Sequence, residues 1–301
     1  MLRRFLVLLA ALTLIAGSAQ AALPEPIFPL EYDSLSDPPE GMHNYLMACF
    51  DTWDFKSANL GNTDGILLVT MDTARQRVIF TSIMREILVR RPDGKTGRIT
   101  YIAKNYGPEA LCRVVSTHFG VKVEKYLFFN MDNIQTLIDA LGGVHITVTD
   151  SEAAYLNRYR IARDATTPSM DRAGTYLFTG HAAVIYMRIR KVGGTGDVGR
   201  TERMRTVMET LVEENRSITL AEAMDVAVAL TKNVCLTNLS MNELMTAISC
   251  AFQLRGAKAE GFQLPVNEAL HPISYAGMAT NQVDFPLCRS VFLAFLYGRQ
   301  E

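Results

Sequence analysis

The sequence predicts an α/β fold, a central β-sheet flanked by helices on both faces, and three observations carry that prediction. Residues 65–71 and 77–83 are apolar and rich in Val, Ile and Leu, and the polar stretch Asp72-Thr73-Ala74-Arg75-Gln76 separates them. That is the pattern of a hairpin of two buried strands. Between residues 108 and 148 helical and strand patterns alternate, as in α/β folds, whose right-handed crossovers set helices on the sheet faces. From Asp197 to Arg216, Val198, Met204, Val207, Met208, Leu211 and Val212 recur at helical spacing.

Composition narrows the class. The chain has 301 residues, 49% hydrophobic and 20% charged, enough to bury a full core. Residues 1–21 open with Arg3 and Arg4, continue through an apolar run at 5–16 and end in Ala19-Gln20-Ala21, which together read as a secretory signal cleaved after Ala21. The run is shorter than the ~20 residues a membrane span needs. The expected location is therefore the extracellular side of the membrane. Formal net charge is −1, and loss of the signal removes two arginines and no acid. This excludes the basic excess on which nucleic-acid binding depends. Cys49, Cys112, Cys235, Cys250 and Cys288 show no CxxC and no metal-ligand spacing, and their odd number leaves at least one outside any intrachain disulfide.

Taken in order, residues 22–41 carry Pro24, Pro26, Pro29, Pro38 and Pro39 and read as a linker, with 42–301 as a single domain behind it. A short apolar run, 45–50, stops at Asp51, and a polar loop leads to Asp64. Arg85 and Glu86 follow the second hairpin strand directly, a place where α/β folds build sites. Pro108 suits a first helical position and Gly120 a helix stop. Residues 125–130 read as a strand, Asp132 as the N-cap of a helix at 133–141, and 144–148 as a further strand. Thr179 caps a short helix, 180–187, and Thr219 and Ser240 cap helices at 221–232 and 241–252. The Ala- and Met-rich faces of those two helices read as core, and so do the apolar segments 127–131 and 134–141, for which the wall of a ligand tunnel is the alternative. Residues 260–264 are expected as the last strand and 286–297 as a closing helix.

Against this ordinary background stands a concentration of cations. Arg188 and Arg190, two apart in an extended segment, would point to one side, and Arg200 and Arg203, three apart on a helix, would share a face. A strand end and a helix start could then converge four guanidiniums, whose planar forked donors suit phosphate oxygens. Read alone, such a helix face is more often solvated and salt-bridged.

The residues resemble the LytR-CpsA-Psr family of cell-wall polymer transferases. The resemblance rests on Thr63-Asp64-Gly65, Ser82-Ile83-Met84-Arg85-Glu86, Arg98-Ile99-Thr100, residues 138–144 (Ile-Asp-Ala-Leu-Gly-Gly-Val), Leu177-x-x-Gly180-x-Ala182, Tyr186-x-Arg188-x-Arg190 and Asp197-x-x-Arg200-x-x-Arg203. Each is common by itself; their order and spacing together are specific. The resemblance implies a helix-flanked sheet with an apolar pocket for a polyprenyl chain and a cationic mouth for its pyrophosphate. It also implies transfer of a glycopolymer from that carrier to a peptidoglycan hydroxyl, assisted by Mg²⁺. Carried over, Asp51 and Asp64 match the metal-holding aspartates, and Arg85, Arg188, Arg190 and Arg200 the pyrophosphate-contacting arginines. Arg203, in the same helical motif, and Arg98, in place of a lysine, are expected to bind the pyrophosphate as well. Asp64, Arg85, Arg188 and Arg190 are thus the expected catalytic set. The sequence departs from the family pattern at Asn62, where an arginine is usual, and at Met204, where a glutamine is usual.

Three functions fit these residues. The first is the transferase. The second is a binder that holds polyprenyl-linked intermediates without turnover because Asn62 and Met204 have weakened the site. The third is a hydrolase using water as acceptor.

Overall fold

The computed structural model describes residues 27–52, 60–158, 169–194 and 196–298, so the expected signal lies outside the described residues. In chain order the elements are β1 (Met42–Phe50), β2 (Thr63–Asp72), β3 (Arg77–Ile83), β4 (Leu88–Arg90), β5 (Thr96–Arg98), α1 (Ile102–Tyr106), α2 (Pro108–Phe119), β6 (Lys125–Phe129) and α3 (Met131–Ala140). There follow β7 (Val144–Val148), α4 (Asp150–Arg158), β8 (Gly174–Phe178), α5 (Gly180–Met187), α6 (Gly196–Glu214), α7 (Leu220–Asn233) and β9 (Leu236–Thr237). The chain ends with α8 (Met241–Gln253), β10 (Lys258–Leu264), β11 (Leu270–Tyr275), β12 (Met278–Val283) and α9 (Phe285–Tyr297).

A mixed six-stranded sheet runs β10-β3-β2-β1-β6-β9. The expected hairpin is β2–β3, antiparallel with Asp72 opposite Arg77, and β1 extends it antiparallel to β2. Side chains alternate across the pleat. Leu46, Ala48, Phe50, Ile66, Leu68 and Ile79 face α2 and α9, where Val115, Phe119, Cys288 and Phe292 complete a closed core. Tyr45, Leu67, Val69, Met71, Val78 and Phe80 face the other way, toward α6, α7 and α8.

Several expectations needed correction. The strand at 144–148 does not join the sheet; β7 pairs antiparallel with β8 in a separate ribbon. Its burial alternates along the strand, whereas a parallel strand between helices would be covered on both faces. The cap of α3 is Asn130, not Asp132: its side chain accepts from Asn133 N and the Asn133 side chain accepts from Asn130 N. Strand β10 is followed by the β11–β12 hairpin, which has no strongly apolar alternation to announce it. The described part of the expected linker is packed against the sheet domain. Ile27 is buried, Leu30 N donates to Thr117 O, and the Arg113 guanidinium lies over the Tyr32 ring at 4.5 Å. All five cysteines are free thiols.

A third cluster fixes the arginine-bearing elements. Val144, Ile146 and Phe178 of the ribbon pack with Ala182, Ala183 and Tyr186 of α5 and Val207 and Leu211 of α6. Gly180 lets α5 approach α3: its N–H donates to Asp139 Oδ1 at 2.7 Å, and a Cβ there would collide with the Gln135 carbonyl.

Candidate active site

The C-terminal end of β1, the start of β2, the turn after β3, the end of α5 and the first turns of α6 meet at one point. Asp64 and Asp197 hold the arginines there. Asp64 pairs with Arg85 and, at 3.6 Å, with Arg200, whose Nη2 also donates to the Asp64 carbonyl. Asp197 Oδ1 lies 3.4 Å from Arg85 Nε, 3.5 Å from Arg200 Nη1 and 3.8 Å from Arg190 Nη2. Glu86 completes the shell of Arg85 at 3.0 Å. Arg85, Asp64, Asp197 and Arg200 are each largely buried, so their charges interact in a low effective dielectric. Burial pushes the Arg200 guanidinium below its ordinary value, while Asp64 and Asp197 pull it back up.

These ion pairs leave capacity for a ligand. Arg85 Nε, Arg200 Nη1 and both carboxylate oxygens of Asp197 are buried without a hydrogen bond, because the pairs around Asp197 meet in distance but not in alignment. Leaving such atoms unmatched costs about 1–3 kcal/mol each, so an arrangement of this kind fits a site that a polar group completes.

Arg188 and Arg190 reach the site differently from the expected extended segment. Arg188 caps α5 in helical conformation, its N–H bonded to Ile185 O. Ile189 between them is fully buried in the third cluster, so both guanidiniums stay outside it. Arg188 lines the mouth of a cavity and contacts the Met131 sulfur, while Arg190 is exposed.

Two expected cations point elsewhere. Arg203 pairs with Glu152 at 2.7 Å and donates to Ile189 O at 3.1 Å. It therefore holds the backbone between Arg188 and Arg190 rather than a ligand. Burial would raise Glu152, but hydrogen bonds from Thr149 and the guanidinium of Arg203 outweigh it and keep its carboxyl below the ordinary value. Three residues apart on α6, Arg200 and Arg203 serve different neighbours instead of one face. Arg98 is buried and donates to Ala279 O at 2.9 Å. Its neighbour Thr100 supports the site through backbone carbonyls, its hydroxyl donating to Thr63 O at 2.9 Å and its N–H to Arg85 O.

Asp51 lies one step beyond the Phe50–Thr63 pair, at the strand ends that carry Asp64, and its oxygens accept from Asn62 N at 2.8 Å and Asn62 Nδ2 at 3.1 Å. Among the described residues no group of three or more His, Cys, Asp or Glu side chains is arranged to hold a metal ion. Magnesium needs only one or two carboxylates when phosphate oxygens and water supply the rest, so Asp51 and Asp64 at the adjoining strand ends would suffice as the protein's share.

Sequence spacing does not reveal two residues of the site. Asp197, read only as a helix start, is the hub of the cluster; the signal was the need for a counter-charge among converging arginines. Lys104 places its ammonium 3.4 Å from Asn62 Oδ1, bringing a cation to the rim where the family pattern has an arginine.

Beyond Arg188 and Arg200 opens an apolar cavity of about 480 Å³. Leu67 and Phe129 of the sheet, Ile138 of α3, Met204 and Leu211 of α6, Ala227 of α7 and Ile248 of α8 line it. The segments 127–131 and 134–141 and the inner faces of α7 and α8, expected as closed core, are its walls. Packed interiors hold few voids above the size of a water, so this is a ligand-scale space rather than a packing defect. Cys49 also lies on it, and burial pushes its thiol up to about 12, which removes it as a nucleophile.

Residues 35–285 match the LytR_cpsA_psr family. The chain belongs to that family. Among its relatives are Biofilm regulatory protein A of Streptococcus mutans, 29% identical over 161 residues, and the polyisoprenyl-teichoic acid–peptidoglycan teichoic acid transferase TagU of Oceanobacillus iheyensis, 27% identical over 203 residues. The matches take in 51% and 65% of this chain but only 39% and 59% of those proteins. The fold is shared with solved members. Bacillus subtilis TagT aligns with a TM-score of 0.67 at 18% identity, over 90% of this chain and 99% of that one. A structure of YwtF (TagT) with bound octaprenyl pyrophosphate lipid aligns with a TM-score of 0.64 at 17% identity, over 87% and 93%.

Proposed function

We propose that this LytR_cpsA_psr chain is an exported phosphotransferase that moves a glycopolymer from a polyprenyl-pyrophosphate carrier to a hydroxyl of peptidoglycan. One observation carries the reading: a large apolar cavity opens onto a buried arginine–carboxylate cluster that has unsatisfied donors. A chain of isoprene units suits the first and a pyrophosphate the second. The relatives named as teichoic acid transferases and the lipid-bound family structure support the same pairing.

In this reading the acceptor oxygen forms a bond to the sugar-linked phosphorus as the bridging P–O bond of the pyrophosphate breaks. Lipid monophosphate leaves, and a phosphodiester joins polymer to wall. Arg85, Arg188, Arg190 and Arg200 bind the phosphoryl oxygens and stabilise the charge that moves onto the leaving phosphate. Asp197 and Asp64 orient those guanidiniums. The hydroxyl must lose a proton, and Asp64 and Asp197 are the carboxylates at hand, Asp197 with both oxygens free of hydrogen bonds. Asp51 and Asp64 would hold Mg²⁺, which when bound supplies further neutralisation of phosphate charge.

Lys104, 3.4 Å from Asn62 Oδ1, brings a cation beside one of the two departures on which the non-catalytic reading rests, which favours turnover. The test uses purified protein with a polyprenyl-pyrophosphate-linked saccharide, Mg²⁺ and peptidoglycan fragments, following lipid phosphate and sugar separately. The expected result is lipid phosphate release matched by sugar on peptidoglycan. Release without sugar transfer would replace the transferase with a hydrolase, and tight lipid binding without release would leave a binder.

A further inference from the structure

Helices α7 and α8 carry more apolar surface than the cavity uses. On α7, Ala223, Val226, Ala227 and Leu230 line the cavity, yet Leu220, Met224 and Val228 are exposed, Leu220 at 60%. At about 100° per residue, the combined apolar arc covers roughly 200°, about twice the stripe that packing on one neighbour requires. On α8 the pattern repeats: Leu244, Ala247, Ile248 and Ala251 line the cavity, while Met241 and Met245 are exposed, Met241 at 67%. Five large apolar side chains thus lie open to solvent on the two helices that wall the cavity.

We propose that the outer face of α7 and α8, formed by Leu220, Met224, Val228, Met241 and Met245, docks on an anionic lipid bilayer and passes the lipid chain into the cavity. Three features select a membrane over a protein partner. The face is continuous with a cavity whose fitting occupant, a long alkyl chain, resides in bilayers, so the shortest transfer route runs through these helices. Lys232 lies in the last turn of α7, and Arg255 follows α8 with its guanidinium 4.3 Å over the Phe252 ring, so each helix carries a cation at its C-terminal end that anionic headgroups can meet. Flexible Met and aliphatic side chains suit a fluid surface better than a fixed one. Of the acids on the two helices, Glu222 and Glu243 are folded back into the capping boxes of Thr219 and Ser240, and the exposed Asp225 shares its side of α7 with Lys232.

The assignment rests on the cavity being a lipid site, and the experiment separates the two. The full-length chain is incubated with phosphatidylcholine vesicles, with or without phosphatidylglycerol, and hydrogen exchange is read in peptides covering residues 220–233 and 241–253. In parallel, uptake of a polyprenyl pyrophosphate is measured from vesicles and from detergent micelles. The variant is Leu220→Glu/Met241→Glu, in which both acids fall in first helical turns where the dipole favours them, so the fold is kept. Docking predicts protection of both peptides by phosphatidylglycerol vesicles. It also predicts vesicle uptake slowed about tenfold or more in the variant, with micelle uptake unchanged. Unprotected peptides, or wild-type uptake by the variant from vesicles, would overturn it. So would protection that follows protein concentration without vesicles, which would assign the face to a second copy. Failure of the wild-type chain to take lipid even from micelles would instead remove the functional reading, while the exchange data would still decide docking.

Discussion

The two faces of the central sheet have nearly the same composition and opposite fates. Toward α2 and α9, Leu46, Leu68, Ile79 and Phe50 meet a closed core. Toward α6, α7 and α8, Leu67, Val69 and Phe80 meet a cavity of about 480 Å³. Strand alternation decides which side chains share a face, but closure depends on how far the covering helices stand off. Composition carries no sign of that distance.

The largest expected effect is at the cation mouth of the open face. Arg188→Ala should lower turnover about 10²–10³-fold with the circular dichroism spectrum unchanged, since Arg188 lies outside the packed clusters. Normal activity in that variant would remove the site assignment. Asp64→Ala should also abolish turnover, measured by the same release assay.

Next come two tests of the closed face. His118, packed on the Phe285 ring at 4.8 Å, accepts Arg90 N–H at 2.9 Å and sits 2.8 Å from Val114 O. Burial holds its pKa down to about 4, with Arg289 adding to the shift and Val114 opposing it. Between about pH 6.5 and 4 the unfolded chain therefore binds a proton that the folded one does not. Stability should be unaffected by this group above that window and fall as pH drops through it, by on the order of 3 kcal/mol. Urea titrations at stepped pH should show the slope, and His118→Gln should flatten it. Leu68→Ala on the closed face should cost about 3 kcal/mol and Leu67→Ala on the cavity face about half as much, because the latter site already borders space. Equal losses would mean that the cavity is not there.

The smallest effect belongs to Lys104. Lys104→Ala should raise KM a few-fold, less so at high salt, because an exposed cation contributes only about 0–1 kcal/mol. An unchanged KM would leave Asn62 as an uncompensated departure.

Local chemistry made much of this architecture legible in advance. The β2–β3 hairpin, Pro108 and Gly120 at the ends of α2, and the hydroxyl caps of α7 and α8 follow from patterns contained within a few residues. What escaped depended on partners far away in sequence. β7 chose β8 over the sheet, Arg203 chose Glu152, and Arg98 chose Ala279. Spacing of three on a helix told that Arg200 and Arg203 were near each other, not that Asp64 and Asp197 would claim only one of them. Spacing and composition are blind to the cavity in the same way, since residues lining a ligand space and residues filling a core are both apolar; only the family resemblance implied a pocket.

If cavity and cation cluster hold two ends of one molecule, a crystal structure with a polyprenyl pyrophosphate will show both at once. Isoprene density is expected between the sheet and α7 and α8, with the diphosphate against Arg85, Arg188, Arg190 and Arg200. Diphosphate bound at Arg98 or Arg203, or a lipid chain lying outside the cavity, would contradict it.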